Sequence, residues 1–241
     1  MLKQAIRKII NATGYDIVSA LPPDMDESFL SLYRMCRSYT VTSMERMFAL
    51  YEATRYVVNC GIVGDIVECG VWRGGSSMLC AATMLTMASM HRKIYMYDTY
   101  EGMTEPTDKD VNYKGEKAVK DDFNRWCAIS LGDVQEAMWL TGYPADNIRF
   151  VKGKVEDTIP GIMPEKIALL RLDTDFYEST YHEMVHLFPR LSPGGVLLID
   201  DYGHFKGARE AVDKYIQDNG IKILLNRIDY TGRIGIKAGD R

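Results

Sequence analysis

The chain has 241 residues, of which 46% are hydrophobic and 26% are charged, and its formal net charge at pH 7 is −4. These values are typical of one globular domain of generous size, or of a domain with an added segment. The negative balance, without a basic run, argues against a nucleic acid or an anionic membrane as partner. No apolar stretch approaches the roughly 20 residues that a membrane-spanning helix needs.

Five cysteines are scattered along the chain, and no two of them form a C-x-x-C pair. This pattern favours reduced thiols in a cytoplasmic protein over a disulfide framework or a zinc site. The basic N-terminus, MLKQAIRKIINATGY, interrupts its apolar residues with polar and charged ones. That interruption predicts an amphipathic helix rather than a secretory signal.

Residues 1–61 are predicted to form a helical segment that precedes the main domain, residues 62–241. One amphipathic helix starts after Asp26. The stretch Thr42-Ser-Met-Glu45 has the pattern of a capping box, which predicts a second helix that runs to about Asn59.

Short apolar runs bounded by turn signals alternate with helical stretches through the main domain. The five runs lie at 64–69, 93–99, 147–151, 167–172 and 195–199. Buried strands that alternate with helices predict a doubly wound, parallel α/β sheet. Residues 221–226 and 233–237 are expected to close the sheet as a hairpin, with one antiparallel strand at the edge.

Residues 100–125 differ from their surroundings because they are polar, charged and poor in apolar side chains. A long polar insertion after the carboxyl end of a strand is more often a lid over a ligand site than a linker. We therefore predict a lid over residues 100–130, approximately.

Aspartates follow both the fourth and the fifth predicted strand: Asp173 and Asp175, then Asp200 and Asp201. In a parallel sheet the carboxyl ends of neighbouring strands lie side by side, where such sheets bind ligands. Four converging carboxylates are costly unless a cation or a proton neutralises them, so the pattern predicts a metal site beside a base. Arg171, within the fourth strand, is expected to form a structural ion pair.

A glycine turn, GVWRGGSS, follows the first predicted strand and opens a helix. Its spacing matches neither the dinucleotide fingerprint nor the P-loop. Glu68, at the end of that strand, would repel a pyrophosphate but suits a cationic amino-acid group. Asp98, at the end of the second strand, is placed to accept hydrogen bonds from a ribose diol. Together these acids indicate S-adenosylmethionine (SAM) rather than NAD or ATP.

Longer motifs between about residues 25 and 218 resemble the macrocin O-methyltransferase family, whose members methylate sugar hydroxyls on antibiotics. The matching stretches are GDIVECGVWRGGSSM (64–78), YDTYEGMTEPT (97–107), TGYP (141–144), VKGKVEDTIP (151–160), IALLRLDTDFYEST (167–180) and PRLSPGGVLLIDDYGHFKGAREAVDKY (189–215). The combination of DTD with DDYGH is the specific part. The resemblance implies the class I SAM-dependent methyltransferase fold: a Rossmann-like, mostly parallel sheet of seven strands with N-terminal helices and a lid.

The resemblance also implies roles for the four aspartates. Asp173, Asp200 and Asp201 fall on the positions that bind Mg²⁺, and Asp175 falls on the position of the general base. The implied reaction takes a methyl group from SAM to a hydroxyl of a small-molecule acceptor and leaves S-adenosylhomocysteine (SAH). Because family members often assemble, a homo-oligomer is expected.

Further cofactor contacts are carried over in the same way. Glu68, Gly70 and Asp98 would hold the methionine part and the ribose of SAM. The adenine would lie between Val155 and Glu156. The remaining predicted cofactor contacts are Thr40, Ser43, Ser76, Thr99 and Asp173.

The leading interpretation is therefore Mg²⁺-dependent methylation of a hydroxyl, on a sugar of a natural product, with a vicinal oxygen on the metal. A catechol-type O-methyltransferase acting on a phenolic diol has a similar carboxylate site and stays an alternative. Two other classes are a SAM-binding protein without catalysis and a metal-dependent hydrolase without SAM affinity. The intact aspartate set counts against the first of these, since binding SAM alone needs no metal ligands.

Overall fold

A computed structural model describes residues 6, 10, 12, 13 and 22–239, with the side chain of residue 123 excepted. The amphipathic helix predicted at the N-terminus lies largely outside the described residues. Among the described residues, no helix combines the length and the apolar character needed to cross a membrane.

Two helices form the N-terminal part of the described chain, as expected. Helix α1 spans Glu27–Cys36 and helix α2 spans Met44–Asn59, with a 3-10 turn at Arg37–Tyr39 between them. Both helices contribute buried side chains to the hydrophobic cluster that also contains residues of the sheet. The boundary predicted at residues 61 and 62 stays a prediction.

Side-chain caps define where these two helices begin. Asp26 accepts a hydrogen bond from the backbone N–H of Phe29 at 2.7 Å. At α2 the cap is Ser43, whose Oγ accepts from the N–H of Arg46 at 3.2 Å. The N-cap is therefore Ser43 and not Thr42, the residue expected from the capping-box pattern; the Thr42 hydroxyl accepts a hydrogen bond from Arg171 Nη2 instead.

The described residues contain one sheet of seven strands in the order β3-β2-β1-β4-β5-β7-β6. Its parallel strands are β1 (Asp65–Cys69), β2 (Ile94–Asp98), β3 (Ile148–Lys152), β4 (Ile167–Leu172) and β5 (Leu191–Ile199). The predicted mostly parallel, doubly wound sheet is confirmed.

The C-terminal hairpin differs from the prediction in length and position. Strand β6 contains only Asn226–Arg227, and β7 spans Arg233–Ile236. Strand β7 pairs antiparallel with both β5 and β6. The strand that runs against the others is therefore second from the edge, and β6 is outermost.

Helices cover both faces of the sheet. They are α3 (Gly75–Thr86), α4 (Lys120–Cys127), α5 (Leu131–Trp139), α6 (Val155–Thr158), α7 (Tyr177–His186) and α8 (Lys206–Asp218). Successive side chains of a strand point to opposite faces, so Ile66 and Val67 of β1 belong to different hydrophobic clusters.

The predicted lid consists of an irregular stretch, residues 101–119, followed by helix α4. The irregular stretch is anchored through Asp110, which is 1% exposed. Its Oδ1 accepts a hydrogen bond from the N–H of Tyr177 at 2.7 Å, at the start of α7. Asn112 also forms an isolated bridge with Phe205. The insertion is thus attached to the segment that follows the predicted metal aspartates.

Candidate active site

A cleft of about 250 Å³ lies where β1, β2, β4 and β5 end. All four predicted aspartates line it: Asp173, Asp175, Asp200 and Asp201. The parallel order of β4 and β5 brings the two pairs together because residue 172 of one strand lies beside residue 199 of the other. The convergence expected from the sequence is present.

Three of these carboxylates form a group with the geometry of a cation site. One oxygen from each of Asp173, Asp175 and Asp201 lies within 4.8 Å of the other two. The Oδ2 atom of Asp201 is buried without a hydrogen-bond partner among the described residues. An oxygen-only donor set of this kind suits Mg²⁺.

Burial and mutual repulsion disfavour negative charge on these groups. Burial raises the pKa of Asp173 and of Asp201 well above the usual range, and the neighbouring carboxylates add to the effect. Burial raises the pKa of Asp175 to about 7, with Asp173 and Asp200 contributing in the same direction and a hydrogen bond with Asp201 opposing them. A bound cation would offset this cost.

Asp200 has a different environment from the other three aspartates. Its Oδ1 accepts a hydrogen bond from Arg171 Nη2 at 2.6 Å, and its Oδ2 forms an ion pair with Arg46. Both oxygens of this predicted ligand are therefore held by guanidinium groups. The structure gathers Asp173, Asp175 and Asp201, and it places Asp200 among the arginines.

Arg171 connects the ends of three strands. It is 3% exposed, and its Nη1 lies 2.7 Å from Glu68 Oε1 and 2.6 Å from Asp173 Oδ2. Its Nη2 also donates to the hydroxyl of Thr42 at 3.1 Å. Register explains the pairing, because Arg171 lies directly beside Glu68 in the sheet. The predicted ion pair is confirmed, and it is a buried network.

Glu68 serves this network instead of lining the cleft. One oxygen pairs with Arg171 and the other accepts a hydrogen bond from Ser77. The carboxylate is 3% exposed. Its predicted contact with the ammonium group of SAM stays a prediction, and in this structure both of its oxygens already have partners.

Gly70 and Asp98 shape the turn after β1, as the glycine pattern suggested. Gly70 has φ +80°, and a Cβ at this position would overlap the carbonyl oxygen of Asp173. Asp98 Oδ2 accepts hydrogen bonds from the N–H groups of Val71 and Trp72 at 2.7 and 3.2 Å. Both residues line the cleft, so the turn forms one of its walls.

A second pocket adjoins the first and shares Gly70, Asp98 and Asp173 with it. Three further predicted cofactor residues line this pocket: Thr99, Val155 and Glu156. The Oε2 atom of Glu156 is buried and has no hydrogen-bond partner among the described residues. The predicted adenosine contacts therefore lie together, next to the acid-lined cleft.

Three predicted cofactor contacts have other partners. Ser43 caps α2 and donates to Asp229 at 2.7 Å, and the buried hydroxyl of Ser76 donates to Met47 Sδ at 3.8 Å. Thr40 Oγ1 accepts from the N–H of Thr42 at 3.0 Å. None of the three lines either pocket, whereas Thr42, in the same turn as Thr40 and Ser43, does.

Several cleft residues were not identified from the sequence. Arg46 comes from α2, Trp126 from α4, and Tyr230 with Thr231 from the β6–β7 turn. Arg46 also lies 2.9 Å from Asp229 Oδ2, which ties the C-terminal turn to the cleft. No local motif marks these residues, because they reach the site only through tertiary packing.

The fold and its paired pockets define the class of SAM-dependent O-methyltransferases. A solved structure of this class, the O-methyltransferase NovP, superposes with a TM-score of 0.75 at 27% identity, covering 83% of each chain. The chain belongs to the Macrocin-O-methyltransferase (TylF) family, whose sequence model matches residues 2–234. The family resemblance and the class I fold expected from the motifs are confirmed.

Two curated relatives are similar over most of their length. One is the 8-demethyl-8-(2,3-dimethoxy-alpha-L-rhamnosyl)-tetracenomycin-C 4'-O-methyltransferase of Streptomyces olivaceus, 35% identical over 87% of this chain and 80% of the relative. The other is the mycinamicin III 3''-O-methyltransferase of Micromonospora griseorubida, 32% identical over 81% of this chain and 77% of the relative.

Proposed function

We propose that this enzyme methylates a sugar hydroxyl of a natural-product glycoside, with Mg²⁺ beside the reacting hydroxyl. The observation that carries the proposal is the junction of the two pockets at Gly70, Asp98 and Asp173. One side of the junction holds the predicted adenosine contacts, and the other holds the aspartates. The name of the Streptomyces olivaceus relative, which describes O-methylation of a rhamnosyl compound, supports the acceptor class.

The carboxylates fit a magnesium ion. Asp173 and Asp201 would hold it, since their oxygens are close together and Asp201 Oδ2 has no hydrogen-bond partner within the described part of the chain. The family pattern adds Asp200, which would have to exchange an arginine for the metal. When bound, Mg²⁺ supplies positive charge that lowers the pKa of the acceptor hydroxyl and orients it.

Asp175 is assigned as the general base because of its position. Its φ of +66° turns the chain sharply after β4 and brings its carboxylate beside Asp201. Neither Asp175 nor Asp201 forms an ion pair with an arginine or lysine among the described residues, in contrast to Asp173 and Asp200. Asp175 would accept the proton of the acceptor hydroxyl on a carboxylate oxygen, and SAM, when bound, would supply the methyl group that the hydroxyl oxygen receives.

The test is SAH formation from SAM with methyl α-L-rhamnoside or catechol as acceptor, followed by mass spectrometry. We expect methylation of the glycoside, and we expect EDTA to abolish it and added Mg²⁺ to restore it. Activity that survives exhaustive chelation would refute the metal assignment. Turnover of catechol without turnover of the glycoside would favour the phenolic alternative.

Assembly and location are also proposed. We infer a homo-oligomer from the family resemblance, and light scattering on the purified full chain would reveal a monomer if this is wrong. A cytoplasmic location is inferred from the cysteine pattern, and fractionation of expressing cells tests it.

A further inference from the structure

Large aromatic side chains are exposed at the mouth of the acid-lined cleft. Tyr113 is 53% exposed, Trp126 is 50% exposed and Tyr230 is 54% exposed. Trp126 and Tyr230 line the cleft, and Tyr113 contacts Tyr230. A contiguous exposed patch of apolar side chains often marks a binding surface, whereas single scattered ones do not.

Tyr113, His204 and Tyr230 form a cluster that we call the aromatic triad. The ring centroids of Tyr113 lie 5.6 Å from His204 and 6.2 Å from Tyr230, and those of His204 and Tyr230 are 6.1 Å apart. All three pairs are edge-to-face, with interplanar angles of 65° to 70°. This arrangement fixes the rings against one another and leaves ring surface available for a ligand.

Three separate segments supply the triad: the lid, the turn after Asp201 and the β6–β7 turn. Backbone contacts hold these segments together. Asn112 bridges to Phe205, and the N–H of Gly203 donates to Thr231 O at 2.9 Å. A Cβ at Gly203 would overlap the carbonyl oxygen of Tyr230, so glycine permits this close approach. The chain thus builds the triad from segments that are far apart in sequence.

The triad lies next to the aspartates of the cleft. The N–H of His204 donates to the carbonyl of Asp201 at 3.0 Å, and His204 lines the cleft together with the aspartates. One ligand can therefore contact the triad and the carboxylates at the same time. A second aromatic pair, Trp72 and Trp126 with centroids 6.1 Å apart, lines the same cleft. A ligand with a planar ring suits these exposed aromatic side chains, because aromatic rings pack favourably in offset-stacked and edge-to-face arrangements.

We propose that the aromatic triad binds a planar aglycone ring attached to the methylated sugar, and so determines which glycosides are accepted. The inference rests on the proposed function, because it takes the acceptor to be a glycoside. Tyr113 and Tyr230 are specificity-determining residues on this view. They contact the part of the acceptor that does not react.

The test compares two ligands that share a sugar and differ in the ring. Binding of p-nitrophenyl α-L-rhamnoside and of methyl α-L-rhamnoside to the full chain with SAH and Mg²⁺ is measured by ligand-observed NMR titration. We expect the aryl glycoside to bind about 3- to 10-fold more tightly, the range that one aromatic contact supplies. In Tyr113→Ala and Tyr230→Ala the preference should fall below about twofold.

Two variants serve as controls. Tyr230→Phe keeps the ring and should keep the preference. Trp139→Ala removes an aromatic side chain that is 55% exposed on α5, outside the cleft, and should behave as the wild type. Unchanged SAH affinity in each variant shows that the fold is retained.

Equal affinities for the two glycosides, or a preference that survives in both alanine variants, would overturn the inference. The absence of binding by either glycoside would overturn it as well. If the preference and its loss are observed but SAM methylates neither ligand, the triad assignment stands and the proposed function fails. The two proposals therefore fail in distinguishable ways.

Discussion

Arg171 Nη2 lies 2.6 Å from Asp200 Oδ1, which joins the end of β4 to the end of β5 through two nearly inaccessible charges. The same guanidinium pairs with Glu68 and Asp173 through its other terminal nitrogen. A planar group with donors in a fixed fork can satisfy several carboxylates at once. Arg171 thus reduces the repulsion among the acids that surround the cleft.

Replacement of Arg171 should be strongly destabilising. Arg171→Met leaves Glu68 without its buried counter-charge and leaves Asp200 paired with Arg46 alone, and breaking a buried ion pair typically costs about 3–5 kcal/mol. Arg171→Lys keeps the charge but cannot reach all three carboxylates, so a large loss is also expected. Urea unfolding measures both, with Arg55→Met as control because the Arg55 side chain is 39% exposed and surface pairs contribute about 0–1 kcal/mol. An Arg171→Lys protein as stable as the wild type would contradict the network.

Replacement of Asp175, the proposed base, should slow methyl transfer and leave SAM binding unchanged. Asp175→Asn keeps the size of the side chain but cannot accept a proton, so kcat should fall by about 10²- to 10⁴-fold. Calorimetry should show SAM affinity close to that of the wild type. Asp146→Asn changes an exposed aspartate before β3 and should leave both values unaltered. Turnover by Asp175→Asn near the wild-type rate would exclude Asp175 as base.

Gly70 should not tolerate a side chain. Gly70→Ala places a methyl group against the carbonyl of Asp173 and also strains a φ of +80°, so both thermal stability and SAM affinity should drop. Gly142→Ala is the matched control: its φ is +73°, but nothing lies within 4 Å of its Cβ. The control should show only the cost of left-handed backbone, about 1–2 kcal/mol. Equal effects of the two substitutions would show that the close approach at Gly70 is unimportant.

The buried carboxyl of Glu183 is expected to make the free energy of unfolding depend on pH. This residue of α7 is 0% exposed; Thr174 donates to its Oε1 at 3.0 Å, and its Oε2 has no partner among the described residues. Burial raises its pKa well above the ordinary value of 4.5. The folded protein therefore retains a proton that the unfolded chain releases above that pH, which lowers the free energy of unfolding as pH rises.

Glu183→Gln removes this penalty, so the variant should be more stable than the wild type near neutral pH. The gain should shrink as the pH falls to the unfolded-state pKa and vanish below it, where both states of the wild type are protonated. Thermal unfolding over a pH series measures it. Glu178→Gln, exposed on the same helix, should show no such trend. A difference that does not vary with pH would mean that Glu183 titrates normally.

The parts of the fold that could be predicted from the sequence are those marked by a pattern in their own residues. Five apolar runs separated by helical stretches sufficed to predict β1 to β5, because β1, β2, β4 and β5 are buried along most of their length. The hairpin was less well predicted, since residues 221–225 look like a strand yet lie outside β6. Edge strands depend on pairing partners more than on their own composition.

The sequence alone determined which carboxylates and glycines reach the site: Gly70, Asp98 and the four aspartates follow strands whose ends must meet. Only the tertiary structure decided which partner each of these groups contacts. Arg171 and Arg46 hold Asp200, Glu68 is buried as a counter-ion, and Ser43 caps a helix. The reason is physical: the position of a residue in its strand determines where its charge lies, whereas its partner can come from a distant segment, as Arg46 lies 154 residues from Asp200 in the sequence.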